Sequence, residues 1–347
     1  MIQRTATPLE VRAQATDINA SWQTLLAQAI RDPETLLSRL GLSLEWLPGA
    51  VQGHRLFPTV VPEPYLSRIK PGDPHDPLLR QVLPRHEETL SDDEDRNDPL
   101  EEAATTVTTG IIRKYQSRAL LVLTGTCAVN CRYCFRRHFP YGDNRLSPSA
   151  REEALRYLQR ESGLNEVILS GGDPLAMNDR LLAEWVRAFE AIPHIKRLRI
   201  HTRLPVVIPQ RVDERLLTWL RESSLQKVIV LHINHPNEID QAVADAAARL
   251  RDAGATLLNQ SVILRGVNDQ VDTLCELSER CFGAGIMPYY LHAFDPVLGA
   301  AHFRVSDDEA RHLCRQMLSR LPGFLVPRLV REVPGGESKW PLDLGLA

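Results

Sequence analysis

The sequence predicts an α/β fold: an open, partial (β/α)6 barrel with an N-terminal, mainly helical cap. Three observations carry that prediction. From Tyr115 onward, short β-rich runs alternate with longer amphipathic runs, the rhythm of parallel βαβ units. About six such units can be counted, too few for a closed eight-stranded barrel. Residues 1–110 lack the alternation and show helical spacing, prolines and acids instead.

In the cap, Ile18 to Ile30 has helical apolar spacing, and Glu34 to Leu40 predicts a second short helix stopped by Gly41. Pro48, Pro58, Pro62 and Pro64 then break the chain, and Pro77 to Leu83 is a further helical fragment. Glu87 to Glu102 is strongly acidic around Asp92, Asp93, Glu94 and Asp95. Such a run is expected to stay in water as a loop joining cap to core; the alternative is a docking surface for something basic. In the barrel, residues 111–347, strands are expected at Ala119–Thr124, Glu166–Ser170, Arg197–His201, Lys227–Ile233, Thr256–Leu264 and Met287–His292. Helical patterns between them include Arg180–Ile192, Glu214–Glu222, Glu238–Ala253 and Val271–Ala284.

Composition narrows the function. A chain of 347 residues with 43% hydrophobic content can bury one large core with an appendage, or two domains. Its 41 basic and 44 acidic residues leave a net charge of −3, with no basic surplus for a nucleic-acid partner. No apolar run approaches the roughly 18–20 residues of a membrane span. Residues Met1 to Pro8 show no apolar segment resembling a secretion signal. Six cysteines in so long a chain do not form a disulfide framework, so a reducing cytoplasm is the expected location.

The chemistry concentrates after the first predicted strand, in Cys127-Ala-Val-Asn-Cys131-Arg-Tyr-Cys134. In barrels of this kind the working residues sit at the C-terminal ends of strands. Thiolates ligate iron–sulfur clusters, and a [4Fe–4S] cube normally takes four. Three stand here, while Cys275, Cys281 and Cys314 are distant and isolated. Three ligands leave one iron open to a non-protein ligand, which marks a cluster that does chemistry. A structural zinc site is the alternative, but it wants four ligands, commonly as paired CxxC units, and no second pair exists.

Other candidates follow the later strands. Ser170-Gly171-Gly172-Asp173-Pro174 comes after the second, where glycines let the backbone turn sharply near a ligand. His201-Thr-Arg203 and His232-Ile-Asn234-His235 lack metal spacing and are expected to line a pocket or be satisfied polar groups. Asn259 and Gln260 lie inside the fifth strand, where side-chain amides need partners that a ligand ribose or carboxylate can supply. Asp295 and Glu332 follow the sixth and the last apolar runs; two carboxylates on one cavity bind a cation. Lys339 follows Gly335-Gly336 near the chain end. It is either a surface lysine or, presented at a strand end, the attachment point for pyridoxal phosphate.

The three-cysteine spacing and the glycine turn resemble the radical S-adenosylmethionine family. Taken with Thr202–Arg211, Leu257–Asp269 and the PGG-x-x-K ending at Lys339, they resemble the lysine 2,3-aminomutase family, over roughly residues 55–345. The string Cys127 to Pro140 is most similar to the bacterial branch that supplies β-lysine for modifying elongation factor P. The resemblance implies a partial barrel and an isomerase converting L-α-lysine to β-lysine, the R form, by a radical 2,3-amino shift. It implies a [4Fe–4S] cluster on Cys127, Cys131 and Cys134, and S-adenosylmethionine at Gly171, Gly172 and Asp173, with Gln260 as a further cofactor contact. Pyridoxal phosphate would be joined to Lys339, with Arg118 near its phosphate. Arg136 would pair with the substrate carboxylate, an arginine fork suiting two parallel bonds. Asp295 and Glu332 would face the ε-ammonium. A reductant protein such as flavodoxin is implied, with no nucleic acid and no membrane. Two departures stand out: other members carry aspartate at the position of Glu332, and a four-glycine run where this chain has Gly335-Gly336-Glu337-Ser338. Other members also carry a cysteine-containing zinc tail, so a simpler homo-oligomer is expected here. The rival readings are a radical enzyme acting on RNA or protein, and a non-catalytic lysine-binding protein.

Overall fold

The structure, a computed structural model, describes residues 20–144 and 146–345. Ten strands form one sheet in chain order: β1 (Thr106–Thr108), β2 (Ile111–Ile112), β3 (Arg118–Thr124), β4 (Glu166–Gly171), β5 (Arg197–Thr202), β6 (Gln226–Leu231), β7 (Ala255–Val262), β8 (Met287–His292), β9 (Arg328–Arg331) and β10 (Trp340–Pro341). From β3 to β9 every neighbouring pair is parallel. The short β1 and β2 extend one edge antiparallel, and β10 the other. Among the described residues no ladder joins β10 to β1, so the barrel stays open.

The six predicted strands all form, within a residue or two of their expected ends. Six strand–helix units are present, and β9 adds a seventh parallel strand with no helix after it. β4 is buried along its whole length, as a central parallel strand covered on both faces should be. The crossovers run through α6 (Pro148–Arg160), α7 (Asp179–Glu190), α8 (Leu204–Val207) with α9 (Glu214–Glu222), α10 (Gln241–Asp252), α11 (Val271–Gly283) and α12 (Asp307–Arg320), with α1 to α5 in the cap. In α7, Leu182, Trp185, Val186 and Phe189 make a buried stripe at helical spacing, and the Asn178 side chain caps the first turn.

In the cap, α1 is Trp22–Ala27, α2 Pro33–Arg39, α3 Leu47–Leu56, α4 Glu63–Leu66 and α5 Pro77–Arg80. The first is shorter than the spacing predicts, and its expected start at Ile18, like the reading of Met1 to Pro8, lies outside the described residues. Gly41 does end the second helix region, at φ +63°. α5 stops at Arg80, short of the expected Leu83; Pro84 disfavours helical backbone in the residue before it. Leu36, Leu37, Tyr65 and Leu79 share one apolar core with Ile111, Leu121 and Leu175.

The acidic run is not the freely solvated loop its composition suggests. Glu88, near its start, and Glu102, at its end, are only 2% and 3% exposed. Asp92, Glu94 and Asp95 all accept from Arg304, at 3.0, 3.0 and 2.7 Å. The basic partner is the barrel region itself, because these carboxylates meet arginines of the loops that follow its strands: Arg132, Arg136 and Arg137 after β3, and Arg304 after β8.

Candidate functional site

Cys127, Cys131, Cys134, Gly171, Gly172, Asp173, Arg118, Arg136, Gln260, Asp295, Glu332 and Lys339 line one cavity of about 390 Å3 at the C-terminal ends of the parallel strands, whereas Asn234, His235 and Asn259 do not. The cysteine loop leaves β3 and is gripped between its ligands. Ala128 and Val129 are buried, and Asn130 Nδ2 donates to the Pro58 carbonyl at 2.9 Å. Arg132, fully buried, donates from Nε to Glu88 at 2.8 Å and from Nη1 to the Phe57 carbonyl at 2.7 Å. Arg137 reaches the same Glu88 at 2.8 Å. Side chains that alternate with the cysteines are thus committed to the cap, leaving the sulfurs to the cavity.

The three thiols form a set suited to a cationic partner. Burial pushes the Cys134 thiol up to about 11 and raises Cys127 as well, and the neighbouring thiolates add to both rises. Three neighbouring thiolates therefore need bound positive charge. Among the described residues, no group of three His, Cys, Asp or Glu side chains is gathered for a single metal ion.

The glycine turn after β4 is docked on the chain entering that loop. Gly172 and Asp173 N–H groups donate to the Thr124 and Thr126 carbonyls at 2.7 and 2.8 Å. Gly171 has φ +122°, and a Cβ on Gly172 would lie 2.6 Å from the Thr126 oxygen. The glycines are thus needed for backbone contact as well as for any ligand. Asp173 lines the cavity but spends its carboxylate on the protein. Thr202 Oγ1 and the N–H groups of Leu175, Arg203 and Leu204 all donate to it, at 2.7 to 3.0 Å. Burial raises its pKa, and these bonds oppose the rise.

At the opposite wall, β9 and β10 pair with Trp340 opposite Arg331. That register sets the next two residues, Glu332 and Lys339, face to face across the hairpin. They form an ion pair, and Lys114 donates to the other Glu332 oxygen at 2.9 Å. Burial works against the Glu332 charge, but the two lysines outweigh it and hold the carboxylate well below its ordinary range. Among the described residues, Asp295 has no such partner. Shielded from bulk water, with Glu332 adding repulsion, it is pushed up to about 7.

Arg136 does not stand free. Its Nε and Nη2 fork the Glu102 carboxylate at 2.6 and 2.8 Å, and Nη1 donates to Ser170 Oγ at 2.9 Å. Glu102 also meets Lys114 at 3.3 Å. Lys339, Glu332, Lys114, Glu102 and Arg136 thereby make a chain of alternating charge along the wall. Neither Glu102 nor Lys114 emerges from the motifs. Glu102 sits in a charge run, and only the fold shows which arginine it meets. Arg118 stacks its guanidinium 4.0 Å over the Tyr115 ring.

Several buried polar atoms on this cavity lack protein partners among the described residues: Gln260 Oε1, His201 Nε2 and His292 Nε2. Burial lowers both histidines, so they face the cavity as neutral rings. Asn259 is different, exchanging two 3.1 Å bonds with the Ile233 backbone. Asn234 is likewise satisfied, by Tyr133 at 2.7 Å and by the Val262 N–H at 2.9 Å. Orphaned polar atoms, a three-thiol loop and a half-buried lysine in one chamber fit several polar cofactors held together.

Known proteins are similar to this chain. A radical SAM superfamily model matches residues 121–277. The chain is 50% identical to the L-lysine 2,3-aminomutase of Escherichia coli K12, over 94% of this chain and 95% of that protein. It is 47% identical to the L-lysine 2,3-aminomutase of Haemophilus influenzae, over 92% and 94%. With the Clostridium subterminale L-lysine 2,3-aminomutase it shares 34% identity, over 92% of this chain and 77% of that one. On this similarity and the geometry above, the chain belongs to the L-lysine 2,3-aminomutase family of radical S-adenosylmethionine enzymes.

Proposed function

We propose that this protein isomerises L-α-lysine to β-lysine, the R form, with pyridoxal phosphate held at Lys339, and that the product serves elongation factor P modification. A reductant protein such as flavodoxin supplies the electron. One observation carries the reading: a single cavity collects Cys127, Cys131 and Cys134, the Gly171-Gly172 turn, Lys339, Arg136, Asp295 and Glu332. When bound, the cluster with S-adenosylmethionine supplies a hydrogen-abstracting radical, and pyridoxal phosphate the π-system for the amino shift.

The chain's own residues bind, orient and seclude. Arg136 takes the substrate carboxylate, which must compete with Glu102 for the guanidinium fork. The substrate ε-ammonium is drawn to Asp295 and Glu332. Of the two, Asp295 is the available acceptor, since Lys114 already occupies one Glu332 oxygen. Leu100, Ile112, Leu120, Ile168, Val262 and Phe294 line the walls and keep water from the reacting carbon. Leu100 and Ile112 lie near the expected boundary between cap and barrel, which suits a cap over the barrel mouth.

The test is anaerobic incubation of reconstituted protein with isotope-labelled L-lysine, S-adenosylmethionine and a strong reductant. Chiral chromatography should return labelled β-lysine of one hand. Cleavage of S-adenosylmethionine without any β-lysine would instead favour a different radical substrate.

A further inference from the structure

Beneath the cysteine loop lies a buried polar cluster that the proposed reaction does not use. At its centre is Arg203, the residue after β5, 7% exposed. Its N–H donates to Asp173 at 2.7 Å, tying it to the glycine turn. Nη2 donates to Gln81 Oε1 at 2.7 Å, to Glu238 at 2.8 Å and to the Tyr65 hydroxyl at 3.4 Å. Glu238 is itself fully buried and also accepts from the Asn234 N–H at 2.9 Å and Gln81 Nε2 at 3.2 Å. The Tyr65 and Tyr133 rings flank the guanidinium at 5.4 and 5.8 Å. Held on these sides, Arg203 directs Nη1 at the sulfur of Cys131, 2.8 Å away.

We infer that Arg203 is a positioning residue that donates a hydrogen bond to the Cys131 sulfur of the loaded cluster and sets the cluster's reduction potential. The inference rests on reading Cys127, Cys131 and Cys134 as the cluster ligands. Reduction adds negative charge that spreads onto the sulfurs, so a donor aimed at one of them stabilises the reduced state and raises the potential. Glu238 neutralises the arginine overall, which makes the directed N–H, rather than net charge, the effective element. An arginine fixed by four other groups also cannot swing away when the cluster changes charge, so its effect is built in before the electron arrives.

The experiment is an EPR-monitored redox titration of anaerobically reconstituted protein without S-adenosylmethionine. It compares wild type, Arg203→Lys and the charge-conserving double variant Arg203→Met/Glu238→Gln. At a fixed solution potential, about tenfold less reduced cluster is expected in the double variant, a midpoint about 59 mV more negative for one electron. Arg203→Lys, which keeps the charge and loses the fork, should shift the same way. Unchanged midpoints at full iron content overturn the inference while leaving the cluster reading intact. Failure of wild type to hold a [4Fe–4S] cluster overturns the reading beneath it. A wild-type measurement guards against variants that do not fold. With nitrogen-15 arginine, pulsed EPR of the reduced cluster should detect a coupled arginine nitrogen, and its absence counts equally against the assignment.

Discussion

The cysteine loop and the C-terminal hairpin face the same cavity and are built in opposite ways. The loop after β3 is clamped by partners far away in sequence: Glu88, Phe57, Pro58 and Gln81 all hold residues that alternate with the cysteines. The hairpin carrying Glu332 and Lys339 has two ladder pairs, and Pro334, Gly335, Glu337, Ser338 and Trp340 are exposed. A site for an inorganic cluster needs its ligands fixed before binding, since misplaced thiolates lose geometry and potential together. Under the proposed function, the hairpin lysine would bond to a cofactor and then release it, which needs room to move. The contrast makes the loop the costly element to disturb and the hairpin the forgiving one.

Cys131→Ser should break the first region most completely. Hydroxyl is a poor replacement for thiolate on iron. The charge-transfer absorbance of the cluster and all turnover should vanish; retention of full activity would rule out the radical reading. Next in size is Glu88→Gln. It leaves Arg132 and Arg137 without their shared carboxylate in a dry interior, and breaking a buried pair costs about 3–5 kcal/mol. Urea unfolding should register that loss, whereas Glu332→Gln, in the lighter hairpin, should cost much less. Equal losses from the two substitutions would erase the contrast.

Lys339→Ala sharpens the comparison from the other side. The cluster should assemble normally and stability should move by no more than about 1 kcal/mol, as for a partly exposed pair. After borohydride reduction, mass spectrometry should find the pyridoxal adduct on Lys339 in wild type and none in the variant. An adduct on another lysine would move the attachment site.

How legible this was depended on the kind of signal. Short β-rich runs marked the six strands, and Glu214–Glu222 matched its helix end for end, because local patterning dictates these elements. β9 escaped the strand count because four residues make too short a pattern to stand out. Motif spacing placed the cysteines, the glycine turn and Lys339, all of which act through local geometry. What could not be read was pairing. Glu88, Glu102, Lys114 and Arg203 have no distinctive neighbours in sequence, and their roles arise from partners dozens of residues away. The acidic run shows this best, since composition alone describes a solvated loop, and only the fold brings Arg132, Arg136, Arg137 and Arg304 to Glu88, Glu102 and Asp95.

Asp295 provides the last and subtlest prediction, because one substitution should act in two directions. In the cofactor-free protein its carboxyl is pushed from an ordinary 3.8 up to about 7, by burial first and by Glu332 second. A carboxyl whose pKa is raised on folding favours the folded state when protonated. That advantage is fully present below the unfolded value and fades as pH climbs from about 4 to 7. Asp295→Asn cannot ionise, so it should match wild type in stability near pH 4 and exceed it at pH 8, by urea titration at both. Lysine recognition should move the other way. Losing one charge-assisted bond in a dry site costs about 1.5–3 kcal/mol, or roughly 10- to 100-fold in kcat/KM. Norleucine, which ends in a methyl where lysine carries an aminomethyl group, should be a very poor substrate of wild type for the same reason. A variant that is more stable at pH 8 yet poorer with lysine would identify Asp295 as a carboxylate kept in an unfavourable place for the sake of the ammonium it meets. If Asp295→Asn left kcat/KM for lysine unchanged, the carboxylate would be only the turn before Pro296, and the ammonium would have to be met by Glu332 alone.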